Sequence, residues 1–123
     1  MQALVTQIYT FLTSNMGKHF LLDIYGVDAL LLTEMDGFID FIRPMLDECM
    51  AEVVGESSHK FEPGGYTYLA LLSTSHFSIH TWPEDNCAAI DMFSCGEILS
   101  DVLISYVIKY FSPESYDVKM IKR

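Results

Sequence analysis

The chain has 123 residues, half of them hydrophobic and a fifth charged. That length suits one domain, since domains commonly hold ~100–150 residues, and the composition excludes a disordered or low-complexity chain. Seventeen acidic residues against seven basic ones leave a net charge of −10, which argues against nucleic acid or an anionic membrane as partner and is compatible with a cationic small molecule.

No stretch approaches the ~20 apolar residues of a membrane helix. Met1–Ser14 lacks the basic start and small-residue cleavage site of a secretion leader. The cysteines are Cys49, Cys87 and Cys95. An odd count without tight spacing argues against a disulfide framework, so a reducing, cytoplasmic setting is expected.

In chain order, Leu4, Ile8, Phe11 and Leu12 have helical spacing and predict an amphipathic helix over Met1–Ser14. His19–Tyr25 reads as a strand ended by Gly26. Met35–Val54 reads as a helix with Phe38, Phe41, Ile42, Met45, Leu46 and Cys49 on one face. Pro44 inside it predicts a kink or a delayed start. A short strand over Ser58–Phe61 precedes the turn at Pro63-Gly64-Gly65. Tyr66–Ser73, His76–Trp82 and Ala88–Phe93 read as three strands, with turns at Thr74-Ser75 and Pro83–Asn86. Gly96–Phe111 reads as a helix with Ile98, Val102, Leu103, Tyr106, Val107 and Tyr110 on one side. Ser115–Ile121 ends the chain as a strand. Short strands joined by turns favour an antiparallel sheet with helices on one face, an α+β two-layer sandwich. The apolar content predicts that the uncovered sheet face packs on a second copy, giving a homodimer.

Candidate chemistry gathers around Ser75. Its hydroxyl is positioned in sequence to attack the carbonyl of Thr74. Such chemistry needs donors aimed at the carbonyl oxygen and a base for the α-proton. On a strand, His76, Ser78 and His80 share one face while Phe77 and Ile79 point the other way. Histidine is the natural proton carrier near neutral pH, which makes His80 the candidate base. Cys95, before Gly96 at a helix start, is the candidate acid. No metal is expected, because a His76/His80 pair four apart on a strand does not share one ion easily and the cysteines lack ligand spacing. No Gly-x-Ser-x-Gly elbow surrounds Ser75, so a Ser-His hydrolase is not expected.

The run Ser75-His76-Phe77-Ser78-Ile79-His80-Thr81-Trp82-Pro83-Glu84, with Cys95-Gly96 twenty residues after the serine, resembles the signature of the prokaryotic S-adenosylmethionine decarboxylase proenzymes. Gly17-Lys18-His19-Phe20-Leu21-Leu22, His59-Lys60-Phe61 and Gly65-Tyr66-Thr67 are similar to neighbouring family segments. The resemblance implies self-cleavage between Thr74 and Ser75 in one 1–123 domain, giving a 1–74 β chain and a 75–123 α chain. Ser75 would become a covalently held pyruvoyl group, the cofactor, which forms a Schiff base with the substrate. His80 would assist processing, and Cys95 would serve processing and then donate a proton to the substrate carbon. Thr67 stands where the family has a processing hydroxyl. Phe61 matches an aromatic that stacks on adenine, and Glu84 the acidic end of the signature. The implied reaction is decarboxylation of S-adenosylmethionine for spermidine and polyamine synthesis.

One departure matters. The family normally has glutamate before the nucleophilic serine, and this chain has Thr74. Cleavage attacks a backbone carbonyl and does not require that carboxylate. A lost carboxylate beside the site would remove a charge-assisted bond worth roughly 1.5–3 kcal/mol to a cationic substrate. Two alternatives therefore stand beside the first reading. One is a pyruvoyl-dependent decarboxylase of ornithine or arginine. The other is an uncleaved, non-catalytic homologue.

Overall fold

A computed structural model describes residues 16–96 and 98–123. The predicted helix over Met1–Ser14 lies outside the described residues. The elements run β1 (Lys18–Tyr25), α1 (Met35–Glu48), β2 (Val53–Lys60), β3 (Tyr66–Leu72), β4 (Ser75–Trp82), β5 (Cys87–Ser94), α2 (Ser100–Phe111) and β6 (Ser115–Lys122), with one 3₁₀ turn over Pro83–Asp85 between β4 and β5. All six strands join one antiparallel sheet in the order β2-β3-β4-β5-β1-β6. Both helices pack on one face of it, α1 over β2 and β3 and α2 over β1. The α+β two-layer expectation agrees with this architecture.

The helices form because their apolar residues recur at one face. Phe38, Ile42 and Leu46 of α1 are spaced by four and fully buried, as are Leu103, Val107 and Phe111 of α2. Phe38 sits at the centre of the core. Its ring stacks on Phe77 of β4 at 6.3 Å and on Phe111 at 5.5 Å between centroids. Leu22, Ile24, Tyr66, Tyr68, Ile79, Ile90 and Met92 complete the sheet side of the core. At the sheet edge, Arg43 of α1 donates to Glu56 of β2 at 2.9 Å, and the Tyr68 hydroxyl donates to the same carboxylate at 2.8 Å.

Three boundaries differ from the sequence expectation by more than one residue, each for a local reason. The first helix stops at Glu48 instead of Val54. Met50 adopts a left-handed conformation (φ 67°), and the Ala51 N–H bonds back to the Leu46 carbonyl at 2.8 Å, a Schellman closure. Val53 and Val54 then belong to β2, which is longer than predicted and carries a bulge before Gly55. The second helix starts at Ser100, because Leu99 is held outside it by a 3.0 Å bond from its N–H to the Cys49 carbonyl. Val102, predicted on the apolar side of that helix, is exposed. Pro44 lies within α1, and both it and Asp40, whose carbonyl it leaves without a helical donor, face solvent.

Among the described residues, the other sheet face carries no helix. Strand pairing aligns its side chains in rows. One row is Leu71–His76–Phe93–His19–Ile121, the next Leu69–Ser78–Asp91–Leu21–Lys119, and the next Thr67–His80–Ala89–Asp23–Asp117. Among the described residues, no helix is long and apolar enough to cross a membrane.

Candidate active site

β3 and β4 form a hairpin closed by two residues, Ser73 and Thr74, with Leu72 paired to Ser75. The Thr74–Ser75 peptide bond therefore leaves the tip of a tight turn. Ser75 pairs with Ser94 on its other side, which brings the end of β5 and Cys95 against the same bond. The Ser75 hydroxyl donates to the Thr74 carbonyl oxygen. The Cys95 N–H points at that oxygen from 3.4 Å, and the Cys95 thiol donates to it as well. The Cys95 N–H also reaches Ser75 Oγ at 3.1 Å, and the two side chains meet at 3.7 Å between Oγ and Sγ. A backbone carbonyl flanked by a hydroxyl and two donors is the arrangement a carbonyl needs when an oxyanion is to develop on it.

Gly96 allows this approach. A Cβ there would lie 3.0 Å from Thr74 Cγ2 and 3.2 Å from Thr74 Oγ1. Any larger residue would press the turn away from Cys95.

The three cysteines differ in burial. Burial is the first cause that pushes the Cys49 and Cys87 thiols up from their ordinary range, and neighbouring carboxylates add to it. Cys49 is fully buried. Cys95 is exposed beside the turn.

Thr67 and His80 form a second cluster. They pair across β3 and β4, and Thr67 Oγ1 is hydrogen-bonded to His80 Nδ1 at 2.9 Å. That bond fixes the ring and leaves Nε2 free to work. Around them opens a cavity of about 670 Å³ lined by Phe61, Gly65, Trp82, Pro83 and Glu84 among others. Gly65 is required at its floor, where a Cβ would fall 2.4 Å from the Thr81 carbonyl oxygen. Phe61 is half exposed at its wall, and Glu84 is exposed on the 3₁₀ turn.

The structure thus brings the predicted residues together as two groups. Ser75, Thr74 and Cys95 meet at one end of β4. Thr67, His80, Phe61 and Glu84 meet around the other. Five residues of strand at ~3.3 Å each separate Ser75 from His80 by roughly 16 Å. Within one chain His80 does not reach Ser75.

Sequence reasoning missed a third group. His19 of β1, His76 and Ser78 of β4, and Asp91 of β5 are joined by hydrogen bonds on the helix-free face. Strand alternation puts each of them on a polar face, but only the strand order makes them neighbours.

The family model for S-adenosylmethionine decarboxylase matches residues 18–123. The S-adenosylmethionine decarboxylase proenzyme of Methanococcus maripaludis (strain C5) is 39% identical over 110 residues, covering 89% of this chain and 90% of that one. S-adenosylmethionine decarboxylase proenzyme 2 of Bacillus cereus is 40% identical over 111 residues, with 89% and 90% covered. The crystal structure of the adenosylmethionine decarboxylase from Aquifex aeolicus superposes with a TM-score of 0.78 at 30% identity, over 87% of this chain and 89% of that chain. A turn that presents a serine, a carbonyl and a cysteine to one another, on a fold shared along most of its length with these proteins, identifies the chain as a member of the S-adenosylmethionine decarboxylase family.

Proposed function

We propose that the chain cuts itself before Ser75 and then decarboxylates S-adenosylmethionine. The observation that carries this reading is the Thr74 carbonyl, held between the Ser75 hydroxyl and the two donors of Cys95. Ser75 Oγ attacks the Thr74 carbonyl carbon, and its proton passes to the departing amide nitrogen. The ester that results links Thr74 to the oxygen of Ser75. Loss of the Ser75 α-proton breaks the Cβ–Oγ bond, releases Thr74 as a carboxylate and leaves dehydroalanine. Water then replaces the nitrogen, ammonia leaves, and the 75–123 piece begins with a pyruvoyl group. The Cys95 N–H and thiol stabilise the oxyanion of the first step.

Residues of the site suit a pyruvoyl group there. The Cys95 N–H and thiol, which reach Ser75 Oγ and the Thr74 carbonyl oxygen, would hold it. Once formed, the group supplies a ketone that condenses with the substrate amine and accepts the electrons left when CO2 departs. The chain's own residues do the rest. Cys95 returns a proton to the substrate carbon. Phe61 offers a ring face to the adenine and to the sulfonium charge. Glu84 adds a carboxylate for a cationic substrate.

His80 is the base for the α-proton, and the separation within one chain makes it the base of the neighbouring chain. The helix-free face supports a second copy as occupant. It exposes Phe61, Leu69, Leu71, Trp82 and Ile121, each at least 42% accessible. Two such faces packed about a twofold axis near the middle of β4 would bring His80 and Thr67 of one copy toward Ser75 and Cys95 of the other.

Intact mass of the purified protein tests the reading. Cleavage yields pieces of 74 and 49 residues, the smaller with a keto group blocking its first residue, and CO2 is released from S-adenosylmethionine. A continuous chain of 123 residues with an unmodified Ser75 overturns it.

A further inference from the structure

We propose that His19, His76 and Asp91 bind one divalent transition-metal ion of the zinc class. The three side chains come from three adjacent strands, β1, β4 and β5, and converge on the helix-free face. Asp91 sits on the central strand. His19 Nε2 lies 2.6 Å from Asp91 Oδ2, and His76 Nε2 lies 3.1 Å from the same oxygen. The three ligand atoms all fall within 4.8 Å of one another. Metal–nitrogen and metal–oxygen bonds of ~2.0–2.2 Å require donors ~3.3 Å apart in a tetrahedral site, so small outward shifts of the two rings would seat an ion.

The set has the features of a built site. Ser78 pairs with Asp91 across β4 and β5, and its hydroxyl donates to Asp91 Oδ1, the carboxylate oxygen the histidines do not use. That bond turns Oδ2 toward the imidazoles, the role second-shell donors play around bound metals. The two histidine rings stand edge to face, 6.0 Å between centroids, with Phe93 between their strands at 5.8 and 6.3 Å. His19 and Asp91 are about four-fifths covered, and His76 is the accessible member. Two imidazoles and one carboxylate select zinc, cobalt or nickel over magnesium and calcium, which prefer all-oxygen shells. Three protein ligands leave a position for water or for a group from a second copy.

The local pair rejected from the sequence was His76 with His80. The site takes His76 but draws its other ligands from strands that the sequence does not show to be adjacent. The ion also has a structural consequence that rests on cleavage before Ser75. His19 belongs to the 1–74 piece, while His76 and Asp91 belong to the 75–123 piece. A bound ion would tie the two pieces together one residue away from the new end.

Tag-free full-length protein, stripped with a chelator and dialysed, is titrated with Co2+ alone and read by its visible absorption. One Co2+ per chain with tetrahedral or five-coordinate bands, displaced by Zn2+, is expected. His19→Ala and Asp91→Asn should abolish those bands, while His59→Ala, on outer strand β2, should keep them. Ser78→Ala should weaken binding by ~10–100-fold. X-ray absorption of the zinc-loaded native protein needs no variant and should give only nitrogen and oxygen neighbours, two of them imidazole. Absence of Co2+ binding by the native protein overturns the proposal. So does a sulfur shell, or binding retained in both His19→Ala and Asp91→Asn. The titration reads the metal whether or not the chain is cut, so its failure leaves the self-cleavage reading standing.

Discussion

Mixing two inactive variants tests whether each site is shared between copies. Ser75→Ala removes the nucleophile, and His80→Ala removes the base roughly 16 Å away along β4. If His80 serves the Ser75 of its neighbour, a mixed dimer contains one site with both residues intact and one site with neither. Random pairing of equal amounts makes about half the dimers mixed, each with one good site of two, so about a quarter of native turnover returns. About half of the His80→Ala chains should be cut, and none of the Ser75→Ala chains. The two variants are co-expressed with different tags, since cleavage follows folding. Cleavage is read by mass and turnover by CO2 release. Each variant alone should show neither. A mixture with no more cleavage than the sum of its parts refutes the shared site, and so does normal maturation of His80→Ala alone.

Three further outcomes follow from the geometry. Cys95→Ala removes the thiol donor at the Thr74 carbonyl and leaves the backbone N–H as the donor from residue 95, so conversion to two pieces should slow by roughly 100-fold, followed by gel densitometry over time; an unchanged rate would remove the thiol from the processing step. Tyr66→Phe should stabilise the fold by about 1 kcal/mol in urea titration, because the Tyr66 hydroxyl is buried with no partner among the described residues; a lowered midpoint would contradict that accounting. The bond from Arg43 holds the Glu56 carboxyl below its ordinary range, with partial burial opposing it and the Tyr68 hydroxyl assisting. A depressed carboxyl stabilises above its unfolded pKa, ~4.3, and loses that contribution as pH falls through the lower folded value. Glu56→Gln should therefore lose less stability than native protein between about pH 5 and pH 3 in acid titrations followed by circular dichroism.

Much of the molecule was legible in the chain because local rules and tertiary packing agree there. β4 and β5 alternate, and their buried residues Phe77, Ile79, Ile90 and Met92 fall on the side that alternation assigns. The sequence shows only half of β2 because nearly all of the strand is exposed at a sheet edge, where no apolar alternation is needed. The end of α1 was misread because Cys49, Ala51 and Val53 continue an apolar pattern that a left-handed Met50 interrupts. A methionine at that conformation carries no sequence signal, unlike the glycine that usually closes such a helix. The sequence names Ser75, His80 and Cys95 as candidates but not how they group in space, and it does not point to His19 or Asp91. Offsets along a chain do not say that Ser75 pairs with Ser94 and so meets Cys95, twenty residues on. Nor do they say that β1 inserts beside β5 and delivers His19 to Asp91.

The threonine at position 74 acquires a physical meaning in this arrangement. Its carbonyl faces Cys95, while its side chain fills the space that a Cβ on residue 96 would need. The two halves of the residue therefore do separate work. The carbonyl's reactivity depends on the turn, the Ser75 hydroxyl and the Cys95 donors, none of which touch what distinguishes threonine from glutamate. The β-branched side chain, stiff at χ1 and wedged on a glycine, helps hold the carbonyl in the path of those donors. A glutamate at this position would meet the same glycine with a longer, more mobile chain and bring a charge to the mouth of the site. Self-cleavage is thus compatible with threonine on geometry alone, and on the reading proposed above the cost of losing the carboxylate would fall on the binding of a cationic substrate, where Glu84 and the chain's net charge of −10 would still act.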